Sequence, residues 1–133
     1  MNLTAVSTCI CYLRSQITTA HVTDGLSNTY LVGEKYLNAD NNTNGLDNAD
    51  NESMYAGYDN DNHRCTNPSS GVPLQDIPGY TNSCNFGSIH AGSFNMGFCD
   101  GSVHSVSYNI DTETHRRLGN RSDGLPIDWS KLQ

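Results

Sequence analysis

"HAGSFNMGFCDGSVHSVSY", residues 90–108, decides how this chain is read. Two short runs of alternating apolar and polar residues flank Asp100-Gly101. That pair between alternating strands is a strong hairpin signal, because a two-residue type I′ turn needs positive φ at both positions. A two-residue loop at Asp100 and Gly101 pairs Cys99 with Ser102, Phe98 with Val103, Gly97 with His104 and Met96 with Ser105. In that register Phe94, Met96, Phe98 and Val103 share one face, which is the predicted core face.

Working outward, Asp111 is a good N-cap for a short helix over residues 112–118, ended by Gly119. Glu113 in its first turn and Arg116 and Arg117 in its last suit the helix dipole. The tail after it is irregular, and Trp129 is the residue expected to dock it. Upstream, residues 10–22 are rich in β-branched and aromatic residues and predict a strand. Residues 23–28, "TDGLSN", are turn chemistry. Residues 29–37, "TYLVGEKYL", predict a second strand with Tyr30, Val32 and Tyr36 on one face and Leu31, Gly33, Lys35 and Leu37 on the other. Apolar groups on both faces suggest a central place in the sheet.

Composition shifts between these blocks. Residues 38–62 hold six acids, eight Asn and no Lys or Arg. Such a stretch is a surface loop or is disordered, and residues 63–89 continue irregularly with at most short strands. Its beginning resembles an EF-hand loop, with Asp40, Asn42, Asn44 and Gly45 at positions 1, 3, 5 and 6. Position 12 is Asn51 instead of Glu, and flanking helices are missing, so it is not an EF-hand. Two readings fit. One is a solvated Asn/Asp loop that confers only solubility. The other is an irregular oxygen-ligand loop for calcium, with Asp40, Asp47, Asp50, Asp59 and Asp61 as ligands. Sequons at Asn41, Asn51 and Asn120 permit glycosylation.

The 133 residues suit one domain, residues 1–133, of α+β class: a mostly antiparallel sheet with long irregular loops and one short C-terminal helix. Net charge is −7, which argues against nucleic acid as a partner. No run of about 18 apolar residues occurs, so membrane insertion by this chain is not expected. The opening "MNLTAVSTCICYLRSQ" has no basic region followed by a long apolar one, so no export signal is read there. Five cysteines (Cys9, Cys11, Cys65, Cys84 and Cys99) allow at most two bridges and leave one thiol. Their spacing does not suit zinc, and Cys99 beside a turn does not suit a thiolate nucleophile.

His90, nine residues and Asp100-Gly101 form a pattern that resembles the H-x9-DG domain of a large bacterial family of prepilin-like proteins. "TDGLSNTYLVGEKYL", "FGSIHAGSFNMGFCDGSVHSVSYNID" and "HRRLGNRSDGLPID" resemble the family's blocks in the same order and together cover most of residues 10–128. The resemblance implies an exported, pseudopilin-like head with no established catalysis, here without the family's N-terminal prepilin helix. Function then reads as a structural subunit of a cell-surface or extracellular assembly, a homo-oligomer or filament. The alternative is an extracellular binding module for a small solute or glycan, using Tyr55, Tyr58 and Tyr80.

His90, Asp100 and Gly101 are therefore read as structural motif residues. The His90 ring is expected to bond backbone or Asp100, without a metal, because no second ligand lies nearby in sequence. His21, His63, His104 and His115 are scattered and read as surface or interface residues. No nucleophile elbow, P-loop or HExxH motif occurs, so an enzyme is not expected.

Overall fold

The computed structural model describes residues 8–132. The fold is α+β and dominated by sheet. Its strands are β1 (Tyr30–Gly33), β2 (Leu74–Gln75), β3 (Gly87–Ser88), β4 (Ser93–Phe98) and β5 (Val103–Ser107), followed by the helix α1 (Thr112–Leu118). The antiparallel sheet runs in the order β1-β4-β5, and β2 pairs with β3 in parallel. β4 is therefore central and β1 is an edge, against the central place expected for it.

Strand β4 buries Phe94, Met96 and Phe98 completely or almost so, as their alternation predicts. Around them pack Tyr30, Val106, Ile110, Leu118 and Leu132. The helix forms as expected. Asp111 accepts the Thr114 N–H at 2.9 Å, and Glu113 meets Arg116 and Arg117 at 2.7 and 2.9 Å. Gly119 is needed for space: a Cβ there would lie 2.1 Å from Thr66 Oγ1.

The hairpin forms, but its register is one residue away from the predicted one. The partners are Gly97–Val103, Met96–His104, Asn95–Ser105 and Phe94–Val106. The loop has three residues, Cys99 to Gly101, closed by Gly101 N–H to the Phe98 carbonyl (3.0 Å) and Phe98 N–H to the Ser102 carbonyl (2.9 Å). Only Gly101 has positive φ, at 87°, while Asp100 does not. A tight turn followed by a left-handed glycine is the usual three-residue solution. Asp100 supports it by accepting Ser102 N–H at 2.9 Å and Ser102 Oγ–H at 2.7 Å. A one-residue shift turns every β5 side chain over. Val103 is consequently 70% exposed, and Val106 takes the core position instead.

Residues 10–22 do not form the predicted strand. Arg14, with φ of 62°, breaks any alternation, and Ser15 folds back to Tyr12 and Ile10 at 2.9 and 2.7 Å. Residues 19–21 form a short 3-10 turn. β1 also stops early. A register irregularity between Tyr30 and Val32 leaves Leu31 and Val32 exposed, and Tyr36 instead enters a separate buried site, its hydroxyl donating to the Tyr80 carbonyl at 2.8 Å. Trp129 docks the tail as expected, 5.7 Å from Phe98 and 5.5 Å from His104 between ring centres.

The register predicts opposite costs for two valines on one strand. Val106→Ala should destabilise by about 2 kcal/mol through lost burial and a residual cavity, while Val103→Ala should stay within about 0.5 kcal/mol. Urea unfolding of both variants checks this, and equal losses would contradict the register.

Candidate functional site

The acidic loop is built on carboxylates that accept backbone N–H groups. Asp47, 1% exposed, accepts from Asn38 and Ala49, both at 2.8 Å. Asp40 accepts from Gly79 at 2.8 Å, and Asp59 accepts from Asp61 at 3.2 Å. Asp61 is buried. One of its oxygens takes the Glu52 N–H, and the other has no partner among the described residues. The structure thus distributes the five aspartates along the loop. Among the described residues, no group of three or more His, Cys, Asp or Glu is placed to hold a metal ion.

Two side chains from outside residues 38–62 organise the loop. Lys35 Nζ lies 2.6 Å from Asp50 Oδ1 and donates to the carbonyls of Ala49 (2.8 Å) and Asp61 (3.2 Å). Arg64 donates to the carbonyls of Asn60, His63 (2.9 Å) and Ala49 (3.4 Å). Burial lowers the Arg64 pKa, and Asp47, Asp61 and Asp50 oppose that shift. The local basic partners are therefore present. They flank the acidic stretch just before and just after it, where a count confined to 38–62 does not reach. The Cys65–Cys84 disulfide follows, with a Cα separation of 5.4 Å, and fixes the base of the next loop. Cys9, Cys11 and Cys99 are free thiols.

His90 and Asp100 sit beyond opposite ends of β4, a strand of six residues and about 20 Å. Among the described residues the His90 ring bonds neither Asp100 nor backbone. Its Nε2 faces Glu34 Oε1 at 3.4 Å on the surface. The backbone of His90 does the structural work: its N–H donates to Ser88 Oγ at 3.1 Å and its carbonyl accepts the Tyr108 hydroxyl at 3.0 Å.

His115, expected at the surface or an interface, is buried. It is 1% exposed and lies against Tyr30, Phe86 and Phe94, with ring centres 5.5, 5.9 and 6.1 Å away. Nδ1 is 3.3 Å from the Tyr30 hydroxyl, and Nε2 lacks a partner in hydrogen-bond geometry among the described residues. Desolvation pushes its pKa down to about 4, only partly opposed by the Gly71 carbonyl. His63 packs on Tyr58 at 4.7 Å, and His104 meets Phe98 edge to face at 4.9 Å. Position 115, three residues before Leu118 on the helix, was the available sequence signal for burial.

The three tyrosines do not converge. Tyr55 is 87% exposed, Tyr80 packs on Tyr36, and Tyr58 lines a cleft. That cleft is about 390 Å³, bounded by Tyr58, Asp59, Asn60, His63, Ser83 and Cys84. A second cavity of about 350 Å³ lies between β1, residues 9–11 and residues 61–66.

A family described as a protein family of unknown function (SBP_bac_10, DUF1559) matches residues 2–113, most of the chain. The chain belongs to this family. The match includes the hairpin and the acidic loop and ends in the first turn of α1. No curated protein and no solved structure matches the chain.

Two outcomes are expected. Lys35→Met should speed hydrogen exchange across residues 38–62 and destabilise by about 1–2 kcal/mol, because three oxygens lose their donor in a half-exposed setting. Unchanged exchange in that segment would separate Lys35 from the loop's order. For His115, the folded pKa lies below the unfolded value of 6.5. The unfolded chain alone takes up a proton as pH falls from about 6.5 to about 4. Stability is full above that window and falls through it, by about 3 kcal/mol at most. Melting curves at pH 7 and pH 5 should show this fall, and His115→Phe should reduce it.

Proposed function

We propose that this chain is a non-catalytic structural subunit of a cell-surface or extracellular assembly, a pseudopilin-like head in which His90, Asp100 and Gly101 are the H-x9-DG motif. The observation that carries this reading is the outer face of the sheet. Val32, Gly97 and Val103 form one row across three strands, with the two valines 65% and 70% exposed. The rows beside it carry Asn95, Ser93, Ser105 and Ser107. Over β4 and β5 the face is small-residued and uncharged on a chain of net charge −7, with Glu34 opposite Asn95 at its β1 side, so copies meet over β4 and β5 with the least repulsion. The Cys65–Cys84 bridge supports an oxidising compartment. In this reading the partners are further copies of the chain, without nucleic acid. No helix among the described residues is long and apolar enough to cross a membrane. Calcium at exposed carboxylates of the 38–62 loop is part of the proposal, checked by a melting midpoint that rises with millimolar Ca2+ and falls back with chelator.

The second reading, a binding module for a small solute or glycan, rests on the Tyr58 cleft, where one ring stands beside carboxylate, amide and hydroxyl groups. Saccharide-induced NMR shifts confined to Tyr58, Asn60 and Ser83 would favour it. The assembly reading is tested by surface labelling of intact cells and by electron microscopy of concentrated protein. Surface exposure with regular oligomers or filaments is expected. A cytoplasmic protein with reduced Cys65 and Cys84 that stays monomeric would overturn it.

A further inference from the structure

We propose that the outer edge of β5 is the docking strand for β5 of a second copy, joining two three-stranded sheets edge to edge about a twofold axis. This rests on the assembly role proposed above and names its contact. The hairpin's alternation fixes which groups are free. Phe98 N–H donates to the Ser102 carbonyl at one end of the ladder, and Tyr108 N–H donates to the Gly92 carbonyl (3.2 Å) at the other. The bonded pairs between them are Met96–His104 and Phe94–Val106, so the N–H and C=O groups of Val103, Ser105 and Ser107 point away from β4. The same alternation turns Asn95 toward β1, where its carbonyl accepts the Glu34 N–H at 3.1 Å. Among the described residues, the only backbone partner in the outward row of β5 is Ile110 N–H, which donates to the Ser107 carbonyl at 3.1 Å.

An open row of this kind is a template for another strand, and exposed edges are commonly blocked by Lys, Pro, a bulge or a covering loop. "VHSVS", residues 103–107, carries neither Lys nor Pro, and its ladder with β4 is regular. The opposite edge, β1, has an irregular register and is walled by residues 9–11 and 61–66.

Charge and symmetry select the occupant. Every copy carries −7, yet β5 itself holds no Lys, Arg, Asp or Glu. Antiparallel pairing centred on Ser105 sets it against Ser105 of the second copy and Val103 against Ser107. The side chains opposed on the outer face are small and uncharged, His104 stands opposite Val106 on the other face, and each outward N–H meets a carbonyl. The contact is isologous, so it closes as a dimer.

The test uses the full chain in sedimentation equilibrium and native mass spectrometry. Wild type should dimerise reversibly between about 10 µM and 1 mM, as a small interface allows. Ser105→Pro removes an N–H that the monomer does not use and should weaken the dimer about tenfold or more. Ser105→Glu and Ser105→Lys each place like charges face to face and should be monomeric, while their mixture should restore a heterodimer. This charge pair carries the test if the proline variant fails to fold. Association unchanged by all three substitutions overturns the β5 contact and leaves the assembly role standing on another surface. A wild type that stays monomeric at 1 mM overturns both. Protection of the Ser105 amide only by an added extended peptide overturns the second copy as occupant.

Discussion

The register of β4 against β5 is set by the turn from Phe98 to Gly101, and the packing on both sides of the sheet inherits it. Gly101 takes the left-handed conformation that a third loop residue requires, and the Asp100 carboxylate holds Ser102 so that the strand resumes at once. Hydrogen bonding at Asp100 lowers its pKa, first through the Ser102 hydroxyl. With a two-residue loop the same β5 sequence would bury Val103 and expose Val106. With three, Val106 stands opposite Phe94 in the core, and His104 stands opposite Met96 where Trp129 can cover it. The valine left outside joins Ser93, Ser105 and Ser107 on the outer face of the hairpin.

On the inner side, one imidazole joins segments that lie far apart in the chain. His115 brings α1 against Tyr30 of β1, Phe86 before β3 and Phe94 of β4. A neutral ring fits there because its one hydrogen bond goes to the Tyr30 hydroxyl, whose own ionisation burial suppresses. Close approach at Gly119 lets the helix end rest on Thr66, beside the Cys65–Cys84 bridge. In the chain-entropy account a bridge over a loop of this length contributes about 3 kcal/mol. The tail is tied in by Asp24, which accepts N–H groups from Asp123 (2.6 Å) and Gly124 (3.0 Å). The first turn block and the closing block therefore meet directly.

What could be read from the sequence is what local chemistry decides. Asp111, the residues of α1 and the stop at Gly119 were legible, as were the hairpin's existence and the core side of β4. The register was not, because Asp-Gly serves both two- and three-residue loops, and the choice rests on what Val106 and Val103 each find to pack against. Residues 10–22 looked like a strand by composition, but no strand among the described residues offers them a ladder, and a turn through Arg14 wins. His90 looked tied to Asp100 by spacing, yet an extended strand holds the two apart and brings Glu34 to the ring instead. His115 resisted the reading because its partners lie on three other segments.

The acidic loop shows how a locally unfavourable segment can still be ordered. Fixing 25 residues costs backbone entropy of roughly 1–2 kcal/mol each, and six like charges add repulsion. Nearly the whole offset has to come from polar contacts, since Leu46, Met54, Tyr55 and Tyr58 all remain exposed. Short Asp and Asn side chains supply those contacts by closing turns on nearby N–H groups. Lys35 and Arg64 then gather the carbonyls that such turns leave facing inward. Because both cations are occupied within the loop, the carboxylates that remain at the surface stay unneutralised. Negative charge is thereby concentrated on the loops, and the uncharged strand β5 is left as the surface where a second acidic copy meets least opposition.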